Sequence, residues 1–155
     1  MKLEIFIAIT GAITGILGLV ISCLGYWRNR AEAVSHFFSL DQSPDMIRAR
    51  GIIYRLEKDY INTQDDERDK DISFALGVFE YWGVLVKKHQ LPYWIFKNRA
   101  TGICLVQFYS KLEPTIKARQ KYNPYQGVNY EWLVNRLRKT LKRKGKEEFF
   151  DIIIL

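Results

Sequence analysis

The chain has 155 residues and 18.3 kDa, with 24 Lys and Arg against 17 Asp and Glu, which leaves a formal charge of +7 and room for one small soluble domain. Hydrophobic residues at 48% exclude an intrinsically disordered chain, and two cysteines, Cys23 and Cys104, exclude a disulfide scaffold. Removing Lys2 and Glu4 leaves the +7 unchanged, so the excess belongs to the part from Arg28 onward.

The first element is Ile5–Trp27, IFIAITGAITGILGLVISCLGYW, 23 residues without a charge. As a helix rising about 1.5 Å per residue it reaches roughly 34 Å, enough to cross the ~30 Å hydrocarbon core of a bilayer. Tyr26 and Trp27 close it as an interfacial aromatic pair, and Arg28 and Arg30 follow. The positive-inside rule then places the N-terminus outside and the bulk of the chain in the cytoplasm, at a bacterial inner membrane. A cleaved secretory signal has a shorter apolar region, about 7–15 residues. Val20-Ile21-Ser22-Cys23 fits a lipoprotein-type cleavage box, but Glu4 stands where basic residues are wanted and the apolar run continues past Cys23. A retained helix is the better reading, with lipidation of Cys23 as its alternative. The position of Cys23 also argues against a bridge to Cys104 and for a reducing compartment.

Ala8, Gly11, Gly15, Gly18, Ser22 and Gly25 are spaced 3, 4, 3, 4, 3 and form one small-residue stripe along this helix. In lipid, helices associate by close packing, which small residues permit, so the stripe is the expected oligomerisation face. Glycine is also simply common in membrane helices, which is the plainer explanation.

Residues 1–30 are thus a transmembrane helix with its flanks, and residues 31–155 a cytosolic domain. After a short connector, Ser43-Pro44-Asp45 has the chemistry of a helix start: a capping serine, proline in the first turn and an acid at the positive end of the dipole. That helix is expected to reach about Tyr60, burying Ile47, Ile52, Ile53, Leu56 and Tyr60. Asn62–Asp71 is densely charged and lacks the ligand spacing of a calcium loop. Ile72–Val86, with Glu80 as its single charge, is too short to span a bilayer comfortably and reads as the central helix of a bundle. Leu91-Pro92 is a break, Tyr93–Phe96 starts a short helix, and Thr101 to about Tyr122 forms a long helix containing Pro114. Asn123–Gly127 is turn chemistry, and Asn129–Lys144 is the last helix, with Trp132, Leu133, Leu137 and Leu141 at helical spacing. The fold class is all-α: one N-terminal membrane helix followed by a bundle of four or five helices.

Phe79-Glu80-Tyr81-Trp82-Gly83, Leu91-Pro92 with Trp94, Leu112-Glu113-Pro114-Thr115-Ile116 with Arg119, and Asn129-Tyr130-Glu131-Trp132-Leu133 together resemble the pattern of a bacterial family of small, membrane-anchored helical proteins. The likeness covers roughly residues 43–137 and implies the fold, not an activity. The layout of a short membrane helix and a compact basic domain is also similar to CRISPR-associated membrane effectors gated by cyclic oligoadenylates. That second likeness is one of architecture and carries no motif.

The sequence has no phosphate-binding glycine loop, zinc-type His-Glu-x-x-His or nucleophile elbow, so an enzyme is not expected, nor a metal or cofactor. His36 and His89 read as surface or capping groups, and Cys104, within Ile103-Cys104-Leu105-Val106, as a small core residue. Glu80 must be paired, protonated or solvated inside its apolar helix, and Arg119 is the partner the sequence suggests, as a structural ion pair. The alternative is that Arg119 faces an anionic ligand, with Lys117, Lys121, Tyr122, Asn123 and Arg99 as the other candidate ligand-binding residues and Tyr122 or Tyr125 for stacking. Against it, Lys117, Arg119 and Lys121 cannot share one helix face.

Arg136, Arg138, Lys139, Lys142, Arg143, Lys144 and Lys146 put seven cations into eleven positions. They suit a solvated helix end, an anionic lipid surface, or a nucleotide. The tail Phe149–Leu155 has high strand propensity and is expected to dock within an oligomer. The expected function is an oligomeric single-pass membrane protein whose basic domain senses an anionic ligand, a cyclic oligonucleotide being the candidate, and acts on the membrane in antiviral defence. The alternative is a membrane-tethered interaction module without a ligand. Expected partners are lipid and further copies of the chain; a long nucleic acid is not expected, because no helix-turn-helix signature precedes the basic helix.

Overall fold

A computed structural model describes residues 2–57, 67–97 and 100–143, all helix and turn, with no strand among them. The elements are α1 (Lys2–Asp41), α2 (Pro44–Tyr54), α3 (Glu67–Lys87), α4 (Trp94–Lys97), α5 (Ala100–Gln120) and α6 (Val128–Lys142). The all-α expectation holds, as one long apolar helix followed by a small bundle.

The expected connector after Arg30 is absent. α1 runs unbroken for 40 residues, about 60 Å at 1.5 Å per residue. Its second part, Arg28–Asp41, contains neither Gly nor Pro, and Arg28 pairs with Glu32 one turn on at 3.0 Å. Its apolar residues dock on the bundle: Phe37 lies 4.7 Å from the Trp82 ring and 5.3 Å from the Phe96 ring. The helix stops where Pro44 disfavours helical backbone at Ser43, which turns to an extended conformation (φ −65°, ψ 146°). As the sequence indicates, Ser43 caps α2, its Oγ accepting from the Met46 N–H at 3.2 Å.

α2 ends at Tyr54, short of the expected Tyr60, which lies outside the described residues. Lys111 of α5 donates to the carbonyls of Tyr54 at 2.6 Å and Leu56 at 3.2 Å, so a cation takes over where the helix's own bonds stop. Ile53 and Leu56 are buried as expected, Ile52 half-buried, and Ile47 exposed. Arg48 ties α2 to α3 through a two-pronged bond with Asp71 at 2.8–3.0 Å.

α3 is the central helix, packing on α2 and α6, but it is not buried all round. Ile72, Ala75, Phe79, Trp82 and Val86 face the core, whereas Phe74, Gly77 and Tyr81 form an open stripe whose Tyr81 meets His36 edge-on. The core is aromatic: Phe79 lies 5.0 Å from Tyr130 and 6.0 Å from Phe108, and the buried Tyr130 hydroxyl donates to the Leu105 carbonyl at 2.7 Å. α5 passes through Pro114 without interruption. The apolar tail Phe149–Leu155, with Lys144 and Lys146, lies outside the described residues.

Candidate membrane-facing site

Glu80 and Arg119 do not pair. Glu80 reaches the start of α6, where its carboxylate accepts from the N–H groups of Asn129 (3.0 and 3.1 Å) and Tyr130 (2.9 Å) and from Asn129 Nδ2 (2.6 Å). The reason lies at that helix end. Position 127 is a glycine at φ 78°, so α6 has no capping side chain of its own, and Glu80 supplies the missing acceptor and an anion at the positive end of the dipole. Gly83, one turn along α3, makes the approach possible: a Cβ there would run into the Asn129 carbonyl. Arg119 instead bonds Asp69 at 2.8 Å and Ser73 Oγ at 2.9 Å, joining α5 to α3 with little exposure.

The other candidate ligand residues do not converge on Arg119. Lys117 pairs with Glu131 at 3.4 Å, Tyr122 is 92% exposed, and Lys121 is also exposed. Asn123 Oδ1 accepts from the Tyr125 N–H at 3.2 Å and so shapes its own turn. Arg99 lies outside the described residues. Cys104 is half-buried beside Tyr54, whose hydroxyl lies 3.5 Å from its sulfur; that contact and burial push the Tyr54 hydroxyl up to about 12.

The apolar helix is laid out as its sequence suggests. It is long and apolar enough to cross a membrane, and its apolar window is wholly exposed in the single chain. An added Cβ at Gly11, Gly15, Gly18 or Gly25 would meet nothing within 4 Å, and Ala8 and Ser22 are also exposed. The Ser22 hydroxyl donates to the Gly18 carbonyl at 2.8 Å and so finds its partner within the helix.

Two arginines and a histidine gather where this helix meets the bundle. Arg30 of α1, His89 of the α3–α4 turn and Arg136 of α6 line one cavity of about 190 Å3 with Tyr26 and Tyr93. Burial pushes the Tyr93 hydroxyl above its ordinary range, partly offset by its bond with Thr140 and by Arg136. α6 buries Tyr130, Leu133, Val134, Leu137 and Leu141. Its exposed side carries Arg136, Lys139 and Arg143 at spacings of 3 and 4, hence on one face. Sequence reasoning found the basic run but not its meeting with Arg30 and His89, which lie 106 and 47 positions away from Arg136.

Fold and charge together define a class: a basic helical bundle carried on the end of one long apolar helix. The chain belongs to the family described as "Domain of unknown function (DUF4760)", which matches residues 5–137 and so takes in the apolar helix and the bundle together. No curated protein and no solved structure matches the chain.

Proposed function

We propose that this is a single-pass protein of the bacterial cytoplasmic membrane, with its bundle on the cytosolic side, that works as a membrane-tethered interaction module held down on anionic lipid by α6. One observation carries the reading: Arg136, on the cationic face of α6, shares a cavity with Tyr26 and Arg30 at the foot of the apolar helix. A helix crossing the bilayer up to Tyr26 and Trp27 therefore brings the Arg136, Lys139 and Arg143 face to the headgroups. Each such cation near an anionic surface contributes up to about 1 kcal/mol. The small-residue face of α1 would let copies associate in the membrane and multiply that attraction. Binding of a nucleotide at Arg119 loses its support, because that guanidinium is already held by Asp69 and Ser73. The likeness to CRISPR-associated effectors likewise rests on layout alone.

The test uses the full chain, with Cys23 and Cys104 replaced by serine and a donor dye on Asn135→Cys, in nanodiscs carrying acceptor lipid. Energy transfer should be higher in discs containing phosphatidylglycerol than in pure phosphatidylcholine. It should fall with salt and with Lys139, Lys142 and Arg143 all changed to Glu. Transfer that ignores lipid charge would refute the reading.

A further inference from the structure

The cavity shared by Arg30, His89 and Arg136 is lined from α1, the α3–α4 turn and α6. Its volume of about 190 Å3 is roughly six waters' share of liquid, room for a phosphate group with some solvent. Among the described residues no acid lines it, and none of Arg30, His89 and Arg136 is paired with a carboxylate. Arg136 is held from the side, its guanidinium 4.4 Å from the Tyr93 ring and 5.4 Å from the Trp132 ring. The Tyr93 hydroxyl is fixed in turn, donating to the Arg136 carbonyl at 3.0 Å and lying 2.8 Å from Thr140 Oγ1. Stacking of this kind orients the guanidinium plane and keeps its N–H fork for an acceptor.

His89 is the exposed capping residue that the sequence suggests. α3 ends in a Schellman turn, with the Gln90 N–H on the Leu85 carbonyl at 2.9 Å and the His89 N–H on the Val86 carbonyl at 3.1 Å. His89 takes the left-handed position of that turn at φ 60°, where glycine is the unstrained choice. There it lines the cavity beside Arg30 and Arg136, and its imidazole is a side chain with a ring N–H to donate.

We infer that this cavity binds a phosphate group, supplied by the headgroup of an anionic lipid at the foot of α1. The level is right for that source: Arg30 lies four residues, about 6 Å, beyond Tyr26, and the headgroup layer adds about 5–7 Å to each side of the hydrocarbon core. Only the source of the phosphate rests on the membrane-tethered reading; the chemistry of the cavity does not.

The experiment takes the full chain in uncharged detergent micelles and follows tryptophan fluorescence during titration with short-chain phosphatidylglycerol and, separately, with inorganic phosphate. The lipid should bind saturably, and Arg30→Ala and Arg136→Ala should each weaken it about tenfold. His89→Gly should weaken it about threefold while raising the unfolding temperature by about 2–5 °C, which a merely structural role for His89 would not couple. Saturation by the lipid with little competition from phosphate assigns the site to a headgroup; equal binding of phosphate alone, with the same sensitivity to Arg30 and Arg136, assigns it to a free phosphate ester. Either result upholds a phosphate site. Titrations that do not saturate, or that ignore Arg30→Ala and Arg136→Ala, would overturn it and leave only surface adsorption by α6. Saturable, Arg136-dependent binding without the lipid-charge dependence of energy transfer would keep the cavity and remove the reading of α6.

Discussion

Replacing Glu80 by alanine should destabilise the bundle through the start of α6, not through Arg119. The carboxylate accepts from two backbone N–H groups and one side-chain amide, and among the described residues no other side chain caps that helix end. Loss of a helix cap alone costs about 0.5–2 kcal/mol. The charge adds a dipole contribution of roughly 0.3–2 kcal/mol, and hydrogen bonds to a charged acceptor are worth about 1.5–3 kcal/mol each when buried. Glu80 is half-buried, so water replaces part of what is lost, and about 2–4 kcal/mol is the expected total. For a domain of this size that lowers Tm by about 10–25 °C. The assay is denaturation of the full chain in micelles, read by tryptophan fluorescence. Glu80→Gln keeps one acceptor oxygen and should lose about half as much. The decisive control is a double-mutant cycle: Glu80→Ala and Arg119→Ala should add to within about 0.5 kcal/mol, whereas Asp69→Ala and Arg119→Ala should not. A Glu80→Ala protein as stable as the parent, or strong coupling between Glu80 and Arg119, would refute the reasoning.

Three further outcomes follow from the same geometry. Gly83→Ala should cost about 1–3 kcal/mol, because the new methyl meets the Asn129 carbonyl and pushes α6 off Glu80; unchanged stability would contradict that close approach. Gly15→Leu with Gly18→Leu should abolish self-association in micelles, measured by crosslinking or subunit energy transfer, and leave the unfolding free energy of the bundle within about 0.5 kcal/mol, since an added Cβ at either position meets nothing within 4 Å. Tyr54, Tyr93, Tyr109 and Tyr130 all hold their protons above the ordinary tyrosine range, Tyr54 through Cys104 and burial and the other three chiefly through burial. Because their folded values are raised, the stability they contribute is full below pH about 10 and is lost as pH rises towards 12 and beyond. Tyrosinate absorbance and helix content followed from pH 8 upward should change together, and ionisation of all tyrosines near pH 10 with the fold intact would contradict the burial.

The parts of this fold that were legible in the sequence are those set by local chemistry. Ser43-Pro44-Asp45 starts a helix because its cap, its φ and its acid act within four residues, and α6 declares itself by apolar residues at helical spacing. The length of α1 was not legible from polarity, because the change from apolar to charged at Arg28 ends the apolar run without ending the helix; only Ser43 and Pro44 do that. The partner of Glu80 was hidden for a different reason. A carboxylate can be satisfied by backbone N–H groups, which every residue but proline has, so nothing in the sequence points to Asn129 and Tyr130 as strongly as an arginine points to itself. The signal present was negative: Gly127 precedes α6 where Ser, Thr, Asp or Asn would be expected, and a helix start without its own acceptor requires one from elsewhere. The cavity of Arg30, His89 and Arg136 joins three elements far apart in the chain, and no spacing rule reaches across them.

The central claim, a helix that crosses the membrane with the bundle on the cytosolic side, is tested most directly in intact cells. With Cys23 and Cys104 replaced by serine, Leu3→Cys and Lys139→Cys proteins are treated with a membrane-impermeant maleimide before and after permeabilisation of the cytoplasmic membrane. The account predicts that residue 3 is labelled at once and residue 139 only after permeabilisation. Labelling of residue 139 in sealed cells, or protection of residue 3 until the membrane is opened, would contradict it.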